Sequence, residues 1–198
     1  SPTCWGQQIE WQTQQLSDEF YSEGATAGDF NKDGIKDVAA GPFWYAGPDF
    51  KQSHRFYAQD PFDPHRYSNN FFAFTDDFNG DGWDDILVYG FPGQDASWFE
   101  NPKGVERFWP RHKVLDVVDN ESPTYLDIDG DGKREVVCSS GGYFGFARVN
   151  RDAPDQPWEF IRISDKSAGG RFTHGLGLGD INGDNRLDLL EKSGWWEQ

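Results

Sequence analysis

Four stretches of this 198-residue chain carry the same alternation of oxygen-bearing side chains, Asp-x-Asn/Asp-x-Asp-Gly/Asn-x-x-Asp/Glu. They run from Asp29 to Asp37, Asp77 to Asp85, Asp127 to Glu135 and Asp180 to Asp188, and their first residues lie 48, 50 and 53 positions apart. Carboxylates and carboxamides at alternate positions converge on one hard cation only if the backbone curls around it. The Gly at the sixth position supplies the positive φ that such a curl needs. In the first loop Asp29, Asn31 and Asp33 are the side-chain ligands, Ile35 gives its carbonyl and Asp37 closes the shell. The corresponding sets are Asp77, Asn79, Asp81, Trp83 and Asp85; Asp127, Asp129, Asp131, Lys133 and Glu135; and Asp180, Asn182, Asp184, Arg186 and Asp188. A main-chain ligand explains why the seventh position accepts Ile, Trp, Lys or Arg.

The donor set points to Ca2+, at about four sites. No His or Cys stands inside any loop, which disfavours zinc and copper. Three or four carboxylates packed into nine residues repel one another, and a bound dication removes that cost. Formal net charge is −16 and four dications would halve it. The fourth loop has Asn185 where the others have Gly; Asn tolerates the left-handed region next best, so weaker binding is expected there.

The loops join strands, not helices. An EF-hand needs a bidentate Glu at its twelfth position; here that position is Ala40, Val88, Cys138 and Glu191, so three of four lack it. Short apolar runs follow the loops, at 38–40, 86–88, 136–138 and 187–190, and others precede them, at 71–74, 124–126 and 176–178. They read as strands B and A of a repeat unit. Aromatic strands C follow at 43–45, 97–100, 143–146 and 195–197, then strands D at 54–57, 106–109 and 158–162. A period of about 50 residues holds four strands with their turns, as in a propeller blade. The chain ends on a C strand and opens on a D-like segment, Gln8–Gln12, which would complete the last blade and remove two raw edges. The expected organisation is one all-β domain over 1–198, a propeller of four four-stranded blades. Its repeats span 17–58, 59–115, 116–164 and 165–198, with 5–16 as the closing strand. The rival expectation is a segment of a larger, about seven-bladed ring.

The four loops with their trailing apolar strands, as in the stretch from Gly28 to Pro42, resemble the FG-GAP/VCBS repeat family, which includes the integrin α-subunit head. The resemblance covers nearly the whole chain. It implies a β-propeller with calcium in the hairpin loops, and it leaves the ligand open, since members serve as adhesion heads, lectin-like modules and accessory domains of enzymes.

Composition bounds the rest. Eighteen basic residues against 34 acidic ones argue against nucleic acid and against an anionic lipid surface. No apolar run approaches the ~20 residues of a membrane-spanning helix. Ser1 reads as a mature or trimmed terminus without a signal peptide. Loops of moderate charge need the millimolar calcium outside cells, which implies an extracellular, cell-surface or periplasmic location. In an oxidising compartment Cys4 and Cys138 would either pair or stay apart, Cys138 buried and Cys4 free or linked to another chain. Asn120-Glu121-Ser122 matches the glycosylation sequon. Aromatic residues, 17% of the chain, supply material for wedges between blades.

Six residues before each loop stand Glu23, Phe71, Glu121 and His174, equivalent places around one channel mouth. Glu23, Glu121 and His174 converging there would bind an additional divalent metal or run acid–base chemistry. Two functions follow: a non-enzymatic, calcium-stabilised module that binds a protein or glycan partner or self-associates, or a metal-dependent sugar lyase or hydrolase at the channel mouth.

Overall fold

The computed structural model describes residues 10–166 and 168–198, and no helix occurs among them. Fifteen strands form four antiparallel sheets, each built from consecutive strands. The first holds β1 (Ala25–Gly28), β2 (Asp37–Ala40), β3 (Phe43–Tyr45) and β4 (Ser53–Arg55). The second holds β5 (Phe72–Asp76), β6 (Asp85–Tyr89), β7 (Gln94–Phe99) and β8 (Arg111–Val118). The third holds β9 (Thr124–Leu126), β10 (Glu135–Ser140), β11 (Tyr143–Arg148) and β12 (Glu159–Arg162). The fourth has three strands, β13 (Gly177–Gly179), β14 (Asp188–Glu191) and β15 (Gly194–Trp196). Each acidic loop is the A–B connection of its sheet, as the flanking apolar runs predict.

Strands β6 and β10 are buried along almost their whole length because both of their faces are covered, and after the opening acid their apolar residues run consecutively, so the usual period of two is lost. In β6, Ile86 and Val88 pack toward the first sheet with Phe30, Trp44, Phe56, Phe99 and Trp109. Leu87 and Tyr89 pack toward the third with Phe78, Trp98, Tyr125, Val136 and Trp158. A smaller cluster of Ile128, Val137, Phe144 and Leu189 joins the third sheet to the fourth. Aromatic wedges do fill these seams. Each fully buried large apolar side chain contributes about 1.5–3 kcal/mol.

Three expectations need correcting. Glu106–Trp109 is a connection, and strand D of the second repeat is β8, running to Val118 and past the expected boundary at 115. Trp109 enters the core from that connection, its N–H donating to the Phe56 carbonyl at 2.8 Å, so an aromatic core residue need not sit on a strand. Secondly, residues 10–16 of the expected closing segment form no strand, and Trp11 is 88% exposed; residues 5–9 lie outside the described residues. Thirdly, no apolar cluster joins the fourth sheet to the first among the described residues, so the series has three seams. Position two of each loop reports the difference: Phe30, Phe78 and Ile128 are 1%, 0% and 4% exposed, each under the following sheet, whereas Ile181 is 47% exposed.

Candidate metal centres

Each loop is shaped by its own backbone N–H groups, which turn its side-chain oxygens inward. The sixth residue donates to the first acid in all four: Gly34 to Asp29 at 2.9 Å, Gly82 to Asp77 at 2.7 Å, Gly132 to Asp127 at 2.8 Å and Asn185 to Asp180 at 2.9 Å. The fifth residue donates to the third, through Asp33 to Asn31, Asp81 to Asn79, Asp131 to Asp129 and Asp184 to Asn182, at 3.0–3.2 Å. The seventh residues, Ile35, Trp83, Lys133 and Arg186, donate to the fifth at 2.8–2.9 Å. The sixth residues take φ of 86°, 83°, 85° and, for Asn185, 66°, so the fourth loop keeps the curl despite its substitution. The fourth position is left-handed as well, at Lys32, Gly80, Gly130 and Gly183. Three glycines in four were the available sign of that second constraint, and Lys32 hid it.

The ninth acid lies beneath the loop and is buried in every copy: Asp37, Asp85, Glu135 and Asp188. One of its oxygens accepts the N–H of position two, from Phe30 at 2.8 Å, Phe78 at 3.1 Å, Ile128 at 3.1 Å and Ile181 at 2.9 Å. The other oxygen of Asp37 accepts from Gly47 at 2.9 Å, that of Asp85 from Asn101 at 2.8 Å and that of Asp188 from Gln198 at 3.2 Å. These acids therefore tie the loop to its sheet whatever else they hold. Burial pushes the Asp85 carboxyl up to about 8; the two N–H donors oppose the shift and the charges of Asp81 and Asp77 add to it. Burial likewise pushes Glu135 up to about 7, aided by Asp129, Asp131 and Asp127.

These donor sets fit a hard dication. In the third loop Asp127, Asp129 and Glu135 bring one carboxylate oxygen each within 4.8 Å of one another. Oxygens bound to one Ca2+ at about 2.4 Å stand no farther apart than about twice that. The other loops substitute the carboxamide oxygens of Asn31, Asn79 and Asn182, which accept the same N–H that Asp129 does. Neighbouring cations answer part of the charge: Lys103 is 3.2 Å from Asp81, Arg186 is 2.7 Å from Asp184, and Arg148 pairs with Asp129.

At the expected channel mouth the structure joins only two of three groups. His174 Nδ1 lies 3.1 Å from Glu121 Oε2, and the Glu121 N–H donates to the Thr173 carbonyl at 3.1 Å. Glu23 accepts instead from the Ser68 N–H at 3.1 Å and from its hydroxyl. Among the described residues Glu23, Glu121 and His174 do not gather into a metal-type cluster. The equivalent Phe71 sits in an aromatic group with Tyr67 and Phe91. Asn120 of the sequon is buried, its Oδ1 accepting the Ser139 N–H at 2.8 Å, which leaves no room for a glycan on the folded chain. Cys138 is buried in β10 and burial raises its thiol pKa; its expected partner Cys4 lies outside the described residues. His54 and His112 stack on the facing Trp44 and Trp98 of the neighbouring strands, and His112 lies 3.0 Å from Glu100.

Consecutive antiparallel sheets of three or four strands, each with an acidic nine-residue A–B loop, define a repeat protein of the propeller-blade type. The chain belongs to the FG-GAP-like repeat family, whose profile matches residues 77–138 and again 127–191. The first loop lies outside both matches yet repeats the same geometry. None of the curated proteins matches the chain. No helix among the described residues is long and apolar enough to cross a membrane.

Proposed function

We propose that this chain is an extracellular binding module whose four loops each hold a structural Ca2+, and that it engages a protein or glycan partner. The observation that carries the reading is the recurrence, in all four loops, of the same curl, in which backbone N–H groups bond the side-chain oxygens of positions one, three and five above a buried ninth acid. Asp29, Asn31, Asp33 and Asp37 would hold the first ion, with the Ile35 carbonyl, and the equivalent sets would hold the others. Bound calcium would supply the positive charge that buried Asp85 and Glu135 lack, locking each hairpin to its sheet. The affinity of such loops suits the millimolar calcium outside cells. The lyase or hydrolase reading draws only on the Glu121–His174 pair, which lacks its third member, and so ranks second.

The test is metal analysis with melting. After dialysis against millimolar calcium, about four ions per chain are expected, and EGTA should lower the melting temperature by many degrees. Calcium uptake below one ion per chain together with an unchanged melt would refute the reading. A near-stoichiometric transition metal lost in His174→Ala would favour the enzyme.

A further inference from the structure

We propose that the seam between the first and second sheets is a binding cleft for an acidic, uronate-type oligosaccharide, with Arg55 and Arg107 as its carboxylate-recognising groups. The proposal rests on the binding-module reading and names the class of ligand.

The cleft exists because the β7–β8 connection does not pair with a strand. It is pinned at one end, where Asn101 Nδ2 donates to the Phe30 carbonyl at 2.9 Å and to that of Asp84 at 3.0 Å. It is pinned at the other by the Trp109 N–H on Phe56. Between the pins the chain bows away from β3 and β4, carrying Val105 and Phe108 into solvent, 59% and 56% exposed. A hollow of about 800 Å³ remains, within the range of ligand sites. Both walls are anchored, so little order has to be created on binding.

Charge identifies the occupant. The chain as a whole has 34 acidic residues against 18 basic ones, yet this cleft is lined by Arg55, Arg107 and His54 against one acid, Glu106. Among the described residues none of those three cationic groups has a carboxylate partner. Arg55 is held over the Phe43 ring, 5.6 Å from its centroid, and donates to the Gln59 carbonyl, which fixes the fork while leaving its charge unanswered. A guanidinium fork matches a carboxylate in two-point geometry.

The rest of the lining suits a sugar. Gln52 and Ser53 offer polar groups for hydroxyls, and Phe108 offers an exposed ring face. A second hollow of about 380 Å³ continues along the seam, sharing Phe108 and Trp109 and ending at the Arg111–Asp95 ion pair, 2.6 Å apart, so the furrow fits a chain of residues better than a single ring. An acidic peptide would need a longer free strand edge than the three residues of β4.

Titration calorimetry on the whole chain in millimolar calcium tests this, with tetragalacturonate as probe and neutral galactotetraose and hexaglutamate as comparators. Tetragalacturonate is expected to bind and to quench indole fluorescence, since Trp44 and Trp109 line the cleft. Arg107→Ala and Arg55→Ala should each weaken binding at least tenfold while the calcium-dependent melt stays unchanged, and galactotetraose should not bind. No uronate binding, equal binding of galactotetraose or hexaglutamate, or indifference to both variants overturns the proposal. If the calcium-dependent melt persists in that case, the cleft assignment alone fails; if it is absent too, the binding-module reading fails with it.

Discussion

The carboxylate of Asp84, at the eighth position of the second loop, accepts the backbone N–H of Asp29, the first residue of the first loop, at 2.7 Å. The eighth position does the same service elsewhere. Arg134 in the third loop reaches back to Asp76 beside the second, at 3.1 Å, and Leu187 in the fourth packs in one cluster with Ile128 of the third. Each loop is thereby clasped to the one before it, and Lys32 lies 5.1 Å over the Trp83 ring across the first pair. Asp84→Ala removes the acceptor from a half-buried N–H and should cost about 1–3 kcal/mol in denaturant unfolding. It should also weaken calcium binding at the first loop, of which it is not a member; a loss confined to the second loop in a site-resolved titration would disprove the clasp.

Backbone conformation gives a cleaner test at the sixth position. Gly132 has φ of 85°, and a Cβ built there meets nothing within 4 Å. Gly132→Ala therefore isolates conformational strain from steric clash and is expected to destabilise by about 1–2 kcal/mol. Asn185→Gly in the fourth loop should act in the opposite direction by several tenths of a kcal/mol and tighten its calcium site. Opposite shifts of calcium affinity at the two loops, the loss at the third larger than the gain at the fourth, are the expected pattern in isothermal titration.

Metal binding should be linked to pH through Asp85 and Glu135, raised to about 8 and about 7. A carboxyl that holds its proton more tightly when folded adds stability below the ordinary carboxylate range. That stability drains away as pH rises through its folded value. Metal-free protein should thus lose stability between about pH 4 and about pH 8 from these two groups. A bound dication favours the ionised form, so the rise in melting temperature caused by calcium should grow across the same window, with protons released on binding. A calcium shift that is flat from acid to neutral pH would contradict this.

What could be read from the residues was whatever the chain repeats locally. The loop spacing located four sheets, and the apolar runs at 86–88 and 136–138 fell inside β6 and β10. The second repeat's D strand was misplaced because Glu106–Trp109 carries the aromatic signature of a wedge, and Trp109 is one, though it reaches the seam from a connection. The clasp at position eight was invisible for another reason: Asp84, Arg134 and Leu187 share a geometry and no chemistry, so no pattern of residue type marks them. Glu23 was matched with Glu121 and His174 by register alone, and its hydrogen bonds to Ser68, 45 positions away, depend on tertiary packing.

The side of the fourth sheet that no cluster covers among the described residues can be tested with one repeat position in different surroundings. Phe78 and Ile128, at position two of their loops, are sealed beneath the following sheet, while Ile181 is 47% exposed. Phe78→Ala should cost about 3–5 kcal/mol and Ile128→Ala about 2–5 kcal/mol, because each opens a cavity that rigid sheets cannot collapse. Ile181→Ala removes the same kind of side chain from water-facing surface and should change stability by less than about 0.5 kcal/mol. The three variants share a loop position and a backbone N–H bond to the ninth acid, so their differences report packing alone. A cost for Ile181→Ala as large as that for Ile128→Ala would mean that this face is covered in solution, by a closing strand, a further repeat or a second copy. The concentration dependence of the melt would then single out the second copy, since only that contact strengthens by mass action.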